Sequence, residues 1–299
     1  MTVEAVTSLA EPGRNIRGTF KLGDIALRIA AGFTLLFLFL PILVIIVFSF
    51  NKPAGKFNYT WQGFTLENWA DPFKYPALTN ALKMSLNVAA VSTAIALIFG
   101  TLVAISLVRQ RFRGRTAVDT FMVLPLTSPE VVMGASLLTL FLSMGWATGY
   151  FTIVLAHVAF QISFIALTVR ARIRGFDWTL EQAAADLGAS PWRTFRLVTF
   201  PLILPGVLAA ALLAFALSID DFIITFFNAG STVTFPLQIY GAARVRIPPQ
   251  INVLASIVLF ASIAILVFGT LRTRKAPNVS KQRAVGLRRV PLRRRPVSK

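Results

Sequence analysis

The sequence predicts an all-α polytopic membrane protein, and three observations support this fold class. Hydrophobic residues make up 56% of the 299-residue chain and charged residues only 14%, and the mean hydropathy is +0.70, whereas a soluble surface needs more charge. Six apolar stretches reach the roughly 18 residues that a membrane-spanning helix requires. The chain has no cysteine and one histidine, so disulfide frameworks and thiolate sites are excluded and no metal or other cofactor is expected.

The six apolar stretches define the predicted transmembrane helices, at 25–50, 82–108, 117–144, 150–169, 202–227 and 251–271. The first span is expected to stay in the mature chain, because its apolar stretch is too long for a signal peptide and no small-residue cleavage site follows Phe50. Only residues 145–149 separate the third and fourth spans, which predicts a tight outer hairpin. The domain organisation is therefore an N-terminal segment 1–24, a six-helix domain 25–271 and a tail 272–299.

Basic residues predict the orientation of these spans. Of the 30 Lys and Arg residues, 24 fall in the N-terminal segment and the start of the first span, the second and fourth connections and the tail, all on one side. By the positive-inside rule that side is the cytoplasm, so both termini are predicted to be cytoplasmic. The Arg-rich tail is expected to be disordered and to touch anionic lipid headgroups, so no nucleic-acid partner is expected.

The outer loop 51–80 carries aromatic residues between polar residues and prolines. This composition suits the membrane interface or a docking partner.

The cytoplasmic connection 170–201 contains signals for two short helices. Strong helix formers at 180–187 are followed by Gly188, which suits a left-handed C-terminal residue. Ser190 then offers an N-cap and Pro191 occupies the first helical position, so a second helix begins at once. The prediction is a helix-turn-helix elbow on the cytoplasmic face, with a small-residue face formed by Ala183, Ala184 and Gly188.

The string from Glu181 to Ser190, followed by Val198-Thr-Phe-Pro201, resembles the EAA loop of permease subunits of binding-protein-dependent ABC importers, of pattern E-A-A-x3-G-x9-I-x-L-P. The spacing from Gly188 to Pro201 matches, although the family glutamate aligns with Gln182 and Val198 and Phe200 replace the isoleucine and leucine. The segments 218–227, 236–240 and 249–252 are similar to the second permease of spermidine/putrescine importers. The resemblance implies the type I ABC importer permease architecture and a place in a bacterial inner membrane.

In that family the elbow is a coupling helix that rests in a cleft of a cytoplasmic ATPase. The resemblance implies coupling residues at Glu181, Gln182, Ala183, Ala184, Asp186, Gly188 and Pro201. The sequence contains no phosphate-binding loop of its own. The implied partners are therefore a dimer of ATP-binding subunits, a second permease subunit and an external solute-binding protein, all around a lipid-embedded chain that is not an enzyme.

Three acids fall within predicted spans, where a charge usually faces a cavity or a partner. Glu130 follows Pro125 and Pro129, which should break the third span. Asp220 and Asp221 lie near the outer end of the fifth span. The helical spacing of Ser218, Asp221, Thr225 and Asn228 predicts a polar stripe along one helix face. Glu130, Asp220, Asp221 and Thr225 are thus candidate residues of a water-lined passage for a polycation.

A structural interpretation of the same residues stays open. Asp220 and Asp221 could cap a neighbouring helix, and Glu130 could bond a polar partner such as Gln161. His157 and Gln161 share a face of the fourth span, where an interhelical hydrogen bond is expected rather than a substrate contact.

The predicted function is that of a permease subunit forming half of a passage for a small solute, with a polyamine such as spermidine or putrescine as the expected substrate. Two alternatives are an importer of another solute, such as an amino-acid derivative, and a proton-coupled secondary transporter. A membrane-embedded enzyme is disfavoured, because the chain offers no cysteine and one histidine from which to build a catalytic site.

Overall fold

The computed structural model describes residues 22–273, and this part of the chain is built from helices. The first half contains α1 (Leu22–Phe48), α2 (Glu67–Ala70), α3 (Pro76–Arg109), α4 (Arg115–Thr127), α5 (Glu130–Ser143) and α6 (Tyr150–Ile173). The second half contains α7 (Thr179–Asp186), α8 (Pro191–Thr194), a π-turn (Phe195–Thr199), α9 (Phe200–Asp220), α10 (Ile223–Asn228), α11 (Phe235–Ala242) and α12 (Pro249–Thr273). Within residues 22–273, β pairing is limited to two isolated bridges. The all-α prediction is confirmed.

Four helical stretches of the described chain are long and apolar enough to cross a membrane, namely Ile25–Phe48, Pro76–Arg109, Tyr150–Ile173 and Pro191–Asp220. The chain bends by 111° between α4 and α5, and the two helices together qualify as a fifth, broken span. The sixth predicted span falls within α12, a helix of 25 residues. The predicted segment 1–24 and tail 272–299 lie almost wholly outside the described residues.

The core of the chain is formed by α3, α6 and α9, which pack against one another. Helix α6 is the most enclosed span, with 67% of its apolar window buried. The helices approach closely at Gly100, where an added Cβ would lie 2.8 Å from Cγ2 of Ile165. Because α6 is surrounded by two long helices, side chains on it are held in fixed positions.

Helix α1 differs from the core spans because none of its apolar window is buried inside the chain. Its large side chains, such as Phe33 and Phe37, are exposed. An apolar helix of this length is stable only in lipid or against another apolar surface.

The loop between α1 and α3 is ordered by buried side-chain amides. Asn51 is fully buried, donates from Nδ2 to Asn58 Oδ1 at 2.6 Å and to the Thr60 carbonyl at 2.8 Å, and accepts from the Gln62 N–H. Asn68 donates to the carbonyls of Ser49 and Asn51. With these amides inside, the aromatic rings of the loop point outward, including Tyr59, Trp61, Phe64 and Phe73. An exposed aromatic surface suits both interpretations of this loop, as a segment at the membrane interface and as a docking surface for a partner.

The predicted hairpin between the third and fourth spans is confirmed, since α5 ends at Ser143 and α6 begins at Tyr150. The hairpin packs against the loop that follows α10. Thr152 Oγ1 donates to the Asn228 carbonyl at 2.8 Å. Gly230 has φ of +54°, and a Cβ there would collide with the Thr148 carbonyl. Both conditions require glycine at this contact.

Candidate functional site

The elbow between the fourth and fifth spans has the geometry that its sequence predicts. Helix α7 ends at Asp186, and Gly188 follows with φ of +78°. The Ser190 side chain accepts the Arg193 N–H at 3.4 Å and Pro191 occupies the first position of α8. These local signals turn the chain within a few residues, so the elbow is formed without help from distant segments.

Most of the elbow's predicted coupling residues face outward. Gln182, Ala183, Asp186 and Gly188 are exposed, and Ala184 is half-buried. Two large apolar side chains lie beside them, with Leu187 89% exposed and Trp192 70% exposed.

Glu181 is the exception, because it binds within the chain. Its carboxylate pairs with Arg109 at the end of α3 and accepts a hydrogen bond from the Thr199 hydroxyl in the π-turn. The Arg109 guanidinium also lies over the Trp178 ring, 5.2 Å from its centroid. Glu181 therefore ties the elbow to two spans. The sequence did not indicate Arg109 or Thr199 as its partners.

Pro201 explains the π-turn that links the elbow to α9. A proline within a helix lacks the N–H that would bond four residues back, and its ring clashes with that carbonyl. The helix widens at Phe195–Thr199, directly before the proline. A π-turn of this kind inserts one residue into a continuous helix.

Glu130 lies at the break in the third span. Helix α4 tolerates Pro125 in its interior and ends at Thr127, and Pro129 then precedes the first residue of α5, Glu130. The Glu130 side chain is exposed. The interpretation in which Glu130 bonds Gln161 is wrong, because Gln161 is buried and donates from Nε2 to the Ala214 carbonyl at 3.1 Å.

The fifth span is also broken, which corrects the prediction of one continuous polar stripe. Helix α9 ends at Asp220, Asp221 takes an extended conformation with ψ of 121°, and α10 begins at Ile223. Asp221 Oδ2 accepts the Thr225 N–H at 2.8 Å and the Thr225 hydroxyl at 2.7 Å. An acid that satisfies a free N–H in the first turn of a helix can support such a break.

The residues of the predicted stripe come together in a buried network around His157 on α6. Its Nδ1 lies 2.6 Å from Ser218 Oγ, and its Nε2 lies 2.9 Å from Thr225 Oγ1 and 3.2 Å from Asp221 Oδ2. The side chains of His157 and Asp221 are 1% and 6% exposed. The expected interhelical hydrogen bond of His157 is confirmed. The side chains of Asp221 and Thr225 are buried in this network.

The exposed carboxylates at the two breaks are those of Glu130 and Asp220. Asp220 interacts electrostatically with both Asp221 and Glu130. The two broken spans also pack together, since Asn228 donates from Nδ2 to the Gly134 carbonyl at 3.3 Å. The result is a negatively charged region where both spans lose their helical backbone.

Residues 96–279 match the family described as "Binding-protein-dependent transport system inner membrane component". The chain belongs to this family. It is therefore a multi-pass inner-membrane component of an ABC transporter and not an enzyme, and the resemblance seen in its EAA loop is confirmed.

Two relatives from Escherichia coli (strain K12) match most of the chain. The spermidine/putrescine transport system permease protein PotC is 35% identical over 263 residues, covering 88% of this chain and 95% of PotC. The putrescine transport system permease protein PotI is 37% identical over 238 residues, covering 77% of this chain and 83% of PotI.

Solved structures show that the fold is shared by ABC importers. A bacterial ABC transporter involved in the import of the acidic polysaccharide alginate matches with a TM-score of 0.64 at 17% identity, covering 86% of this permease and 96% of that chain. The methionine transporter MetNI in an inward-facing conformation matches with a TM-score of 0.55 at 17% identity, covering 66% and 94%. At this identity the likeness concerns the fold alone.

Proposed function

We propose that this permease is one of two membrane subunits of an ATP-driven importer of polyamines, with both termini in the cytoplasm. The observation that carries the proposal is the pair of exposed carboxylates, Glu130 and Asp220, at the breaks of two adjacent spans. Relatives named for spermidine and putrescine support the same substrate class.

The physical argument starts from the cost of charge within a membrane. Unpaired acids in a span are expensive and are retained where water or a cation reaches them. A polyamine carries several ammonium groups, so two carboxylates in one region attract it more strongly than either alone. Asp221 and Thr225 lie behind this pair in the His157 network and support it. Direct contact of these two with substrate stays a prediction.

The elbow supplies the proposed link to ATP hydrolysis. The exposed side chains of Leu187 and Trp192 would enter a cleft of a cytoplasmic ATP-binding subunit, while Gln182, Ala183 and Asp186 border the contact. Glu181 would transmit movement of the elbow to α3 and the base of α9 through Arg109 and Thr199.

Two other surfaces suit the remaining proposed partners. The aromatic outer loop, centred on Trp61 and Phe64, is available to an external solute-binding protein. A second permease would complete the passage, because the carboxylates of Glu130 and Asp220 are open on the surface of this subunit.

The proposed substrate class is tested by neutralising the exposed pair. In purified complexes we expect Glu130→Gln and Asp220→Asn to slow uptake of a triamine more than uptake of a diamine, because Coulomb attraction grows with substrate charge. The matched control is Glu67→Gln, since Glu67 is an acid of the outer loop whose side chain is 76% exposed. The amount of assembled complex should stay constant in all three variants.

Three results would contradict the proposal. Equal losses for triamine and diamine would remove the charge argument. Uptake of an amino-acid derivative in preference to both amines would point to another solute class. Uptake that survives ATP depletion would favour a proton-coupled secondary transporter.

A further inference from the structure

His157 is the single histidine of the chain, and it contacts residues on both sides of the break in the fifth span. Ser218, which bonds Nδ1, belongs to α9, and Thr225, which bonds Nε2, belongs to α10. Asp221, in the break itself, lies 3.2 Å from Nε2. One side chain on α6 thus touches all three parts of the interrupted span.

The hydrogen-bond pattern defines which ring nitrogen holds the break. The Thr225 hydroxyl has one proton, and it donates this proton to Asp221 Oδ2 at 2.7 Å. Thr225 Oγ1 therefore accepts from His157, which requires the proton on Nε2. Ser218 can bond Nδ1 either as donor or as acceptor, because a hydroxyl group serves in both roles. Asp221 and Thr225 have no further side-chain proton to share. Without the Nε2–H of His157, they therefore cannot replace the hydrogen bond that it donates.

Asp220 and Asp221 are neighbours in sequence but lie in opposite environments. Asp220 is the last residue of α9 and is exposed, whereas the Asp221 side chain is 6% exposed. The helix ends between the two residues, because Asp221 takes an extended conformation. Holding the Asp221 carboxylate inside therefore also sets the direction in which the Asp220 carboxylate points.

We propose that His157 is a positioning residue: by binding Asp221 and Thr225 through Nε2, it fixes the break in the fifth span and holds the Asp220 carboxylate beside Glu130. This role deepens the proposed function, on which its value for transport rests.

Helix α6 is suited to this role because its own position is firmly fixed. The ring of Phe160 lies 5.5 Å from that of His157, and Ile153 on the preceding turn is fully buried. One turn further on, Gln161 binds the Ala214 carbonyl of α9 at 3.1 Å. The interrupted span is thus fastened to the most enclosed helix of the chain.

The absence of cysteine from the sequence allows a test that needs no substrate. In the assembled complex, Asp220→Cys gives this chain a single thiol, and the rates at which this subunit reacts with a cationic and an anionic methanethiosulfonate reagent are compared. If this position faces Glu130, the cationic reagent should react on the order of tenfold faster. Adding Glu130→Gln to the Asp220→Cys chain should lower the ratio of the cationic to the anionic rate. Such a decrease would show that the ratio depends on the charge of Glu130.

Two substitutions at position 157 separate the ring nitrogens. The side-chain amide of Gln reaches the place of Nε2, whereas that of Asn reaches only the place of Nδ1. We expect His157→Gln to keep the rate ratio of the Asp220→Cys chain. We expect His157→Asn to reduce it to the value found with Glu130→Gln.

If a variant at position 157 does not assemble, substitutions of the two hydroxyl residues that bond His157 test the proposal instead. Thr225→Val removes the hydroxyl on the Nε2 side and should lower the ratio, whereas Ser218→Ala removes the hydroxyl on the Nδ1 side and should preserve it. Equal ratios for these two variants, or for His157→Asn and His157→Gln, would overturn the proposal. So would a thiol at position 220 that reacts with neither reagent, or a ratio that ignores Glu130→Gln.

The proposed function fails by a different result. If the thiol ratios follow the expected order while uptake of a triamine and a diamine are affected alike by Glu130→Gln, the positioning role of His157 stands and the polyamine assignment falls.

Discussion

Replacing Gly188 by alanine should uncouple the elbow through its backbone alone. Gly188 has φ of +78°, a conformation that costs an L-residue about 1–2 kcal/mol. No heavy atom outside its sequence neighbours lies within 4 Å of the added Cβ, so no steric collision contributes. The penalty lowers the equilibrium ratio of the elbow conformation to its alternatives by a factor of about 5–30.

The assay is substrate-stimulated ATP hydrolysis together with uptake, measured on purified complexes in lipid. We expect Gly188→Ala to reduce both several-fold while membrane insertion and subunit expression persist. The matched control is Gly175→Ala in the same cytoplasmic connection. Gly175 does not have positive φ, and its added Cβ would make an ordinary contact with the Arg172 carbonyl at 3.8 Å.

A second substitution separates backbone conformation from close approach of a partner. Asparagine tolerates the left-handed region better than alanine does but is larger. If backbone conformation controls coupling, Gly188→Asn keeps more activity than Gly188→Ala, and if space at the partner surface controls it, the order reverses. The reasoning is refuted if Gly188→Ala couples as well as Gly175→Ala.

Three further predictions concern topology and the elbow. Reporter fusions after Ala70 should be external and those after Arg113 cytoplasmic, and a cytoplasmic Ala70 reporter would contradict the orientation drawn from the basic residues. Glu181→Gln should lower the free energy of unfolding by about 0.5–1 kcal/mol, because the ion pair between Glu181 and Arg109 is partly exposed. The same variant should reduce coupled ATP hydrolysis. Thermal unfolding that matches wild type would count against this ion pair as a tie between the elbow and α3. Trp192→Ala should leave thermal stability unchanged, because the side chain is 70% exposed, but should reduce co-purification of the ATP-binding subunit, whose full retention would argue against docking there.

The elbow could be predicted from the sequence because its signals are local. Gly188, Ser190 and Pro191 each act on the backbone within a few residues, and each does so in the structure. The tie between Glu181 and Arg109 joins residues 72 positions apart. In the sequence, each of these two side chains is an ordinary charged residue of a connection between spans. That they form a pair is known only from the packing of α3 against the elbow.

The two broken spans show the same contrast. Pro129 predicts the break before Glu130, because a proline lacks the backbone N–H of a regular helix and its ring clashes with the preceding turn. The break at Asp221 has neither proline nor glycine, and the periodicity of the surrounding residues favours an uninterrupted helix. The interruption coincides with burial of the Asp221 carboxylate against His157, which lies on another span. A contact between distant segments leaves no local pattern.

The π-turn at Phe195–Thr199 lets the chain between the elbow and α9 hold one more residue without turning one against the other. A regular α-helix advances by about 100° for each residue, whereas the wide turn needs about one residue more to complete the same rotation. Deleting a single residue there would let the segment close into regular α-helix and would leave the elbow facing almost the same direction. Deleting a residue within α9 would instead rotate the elbow by about 100° around the axis of the span. The direction from which Leu187 and Trp192 meet a partner therefore depends on the length of α9 and tolerates a change of length in the π-turn.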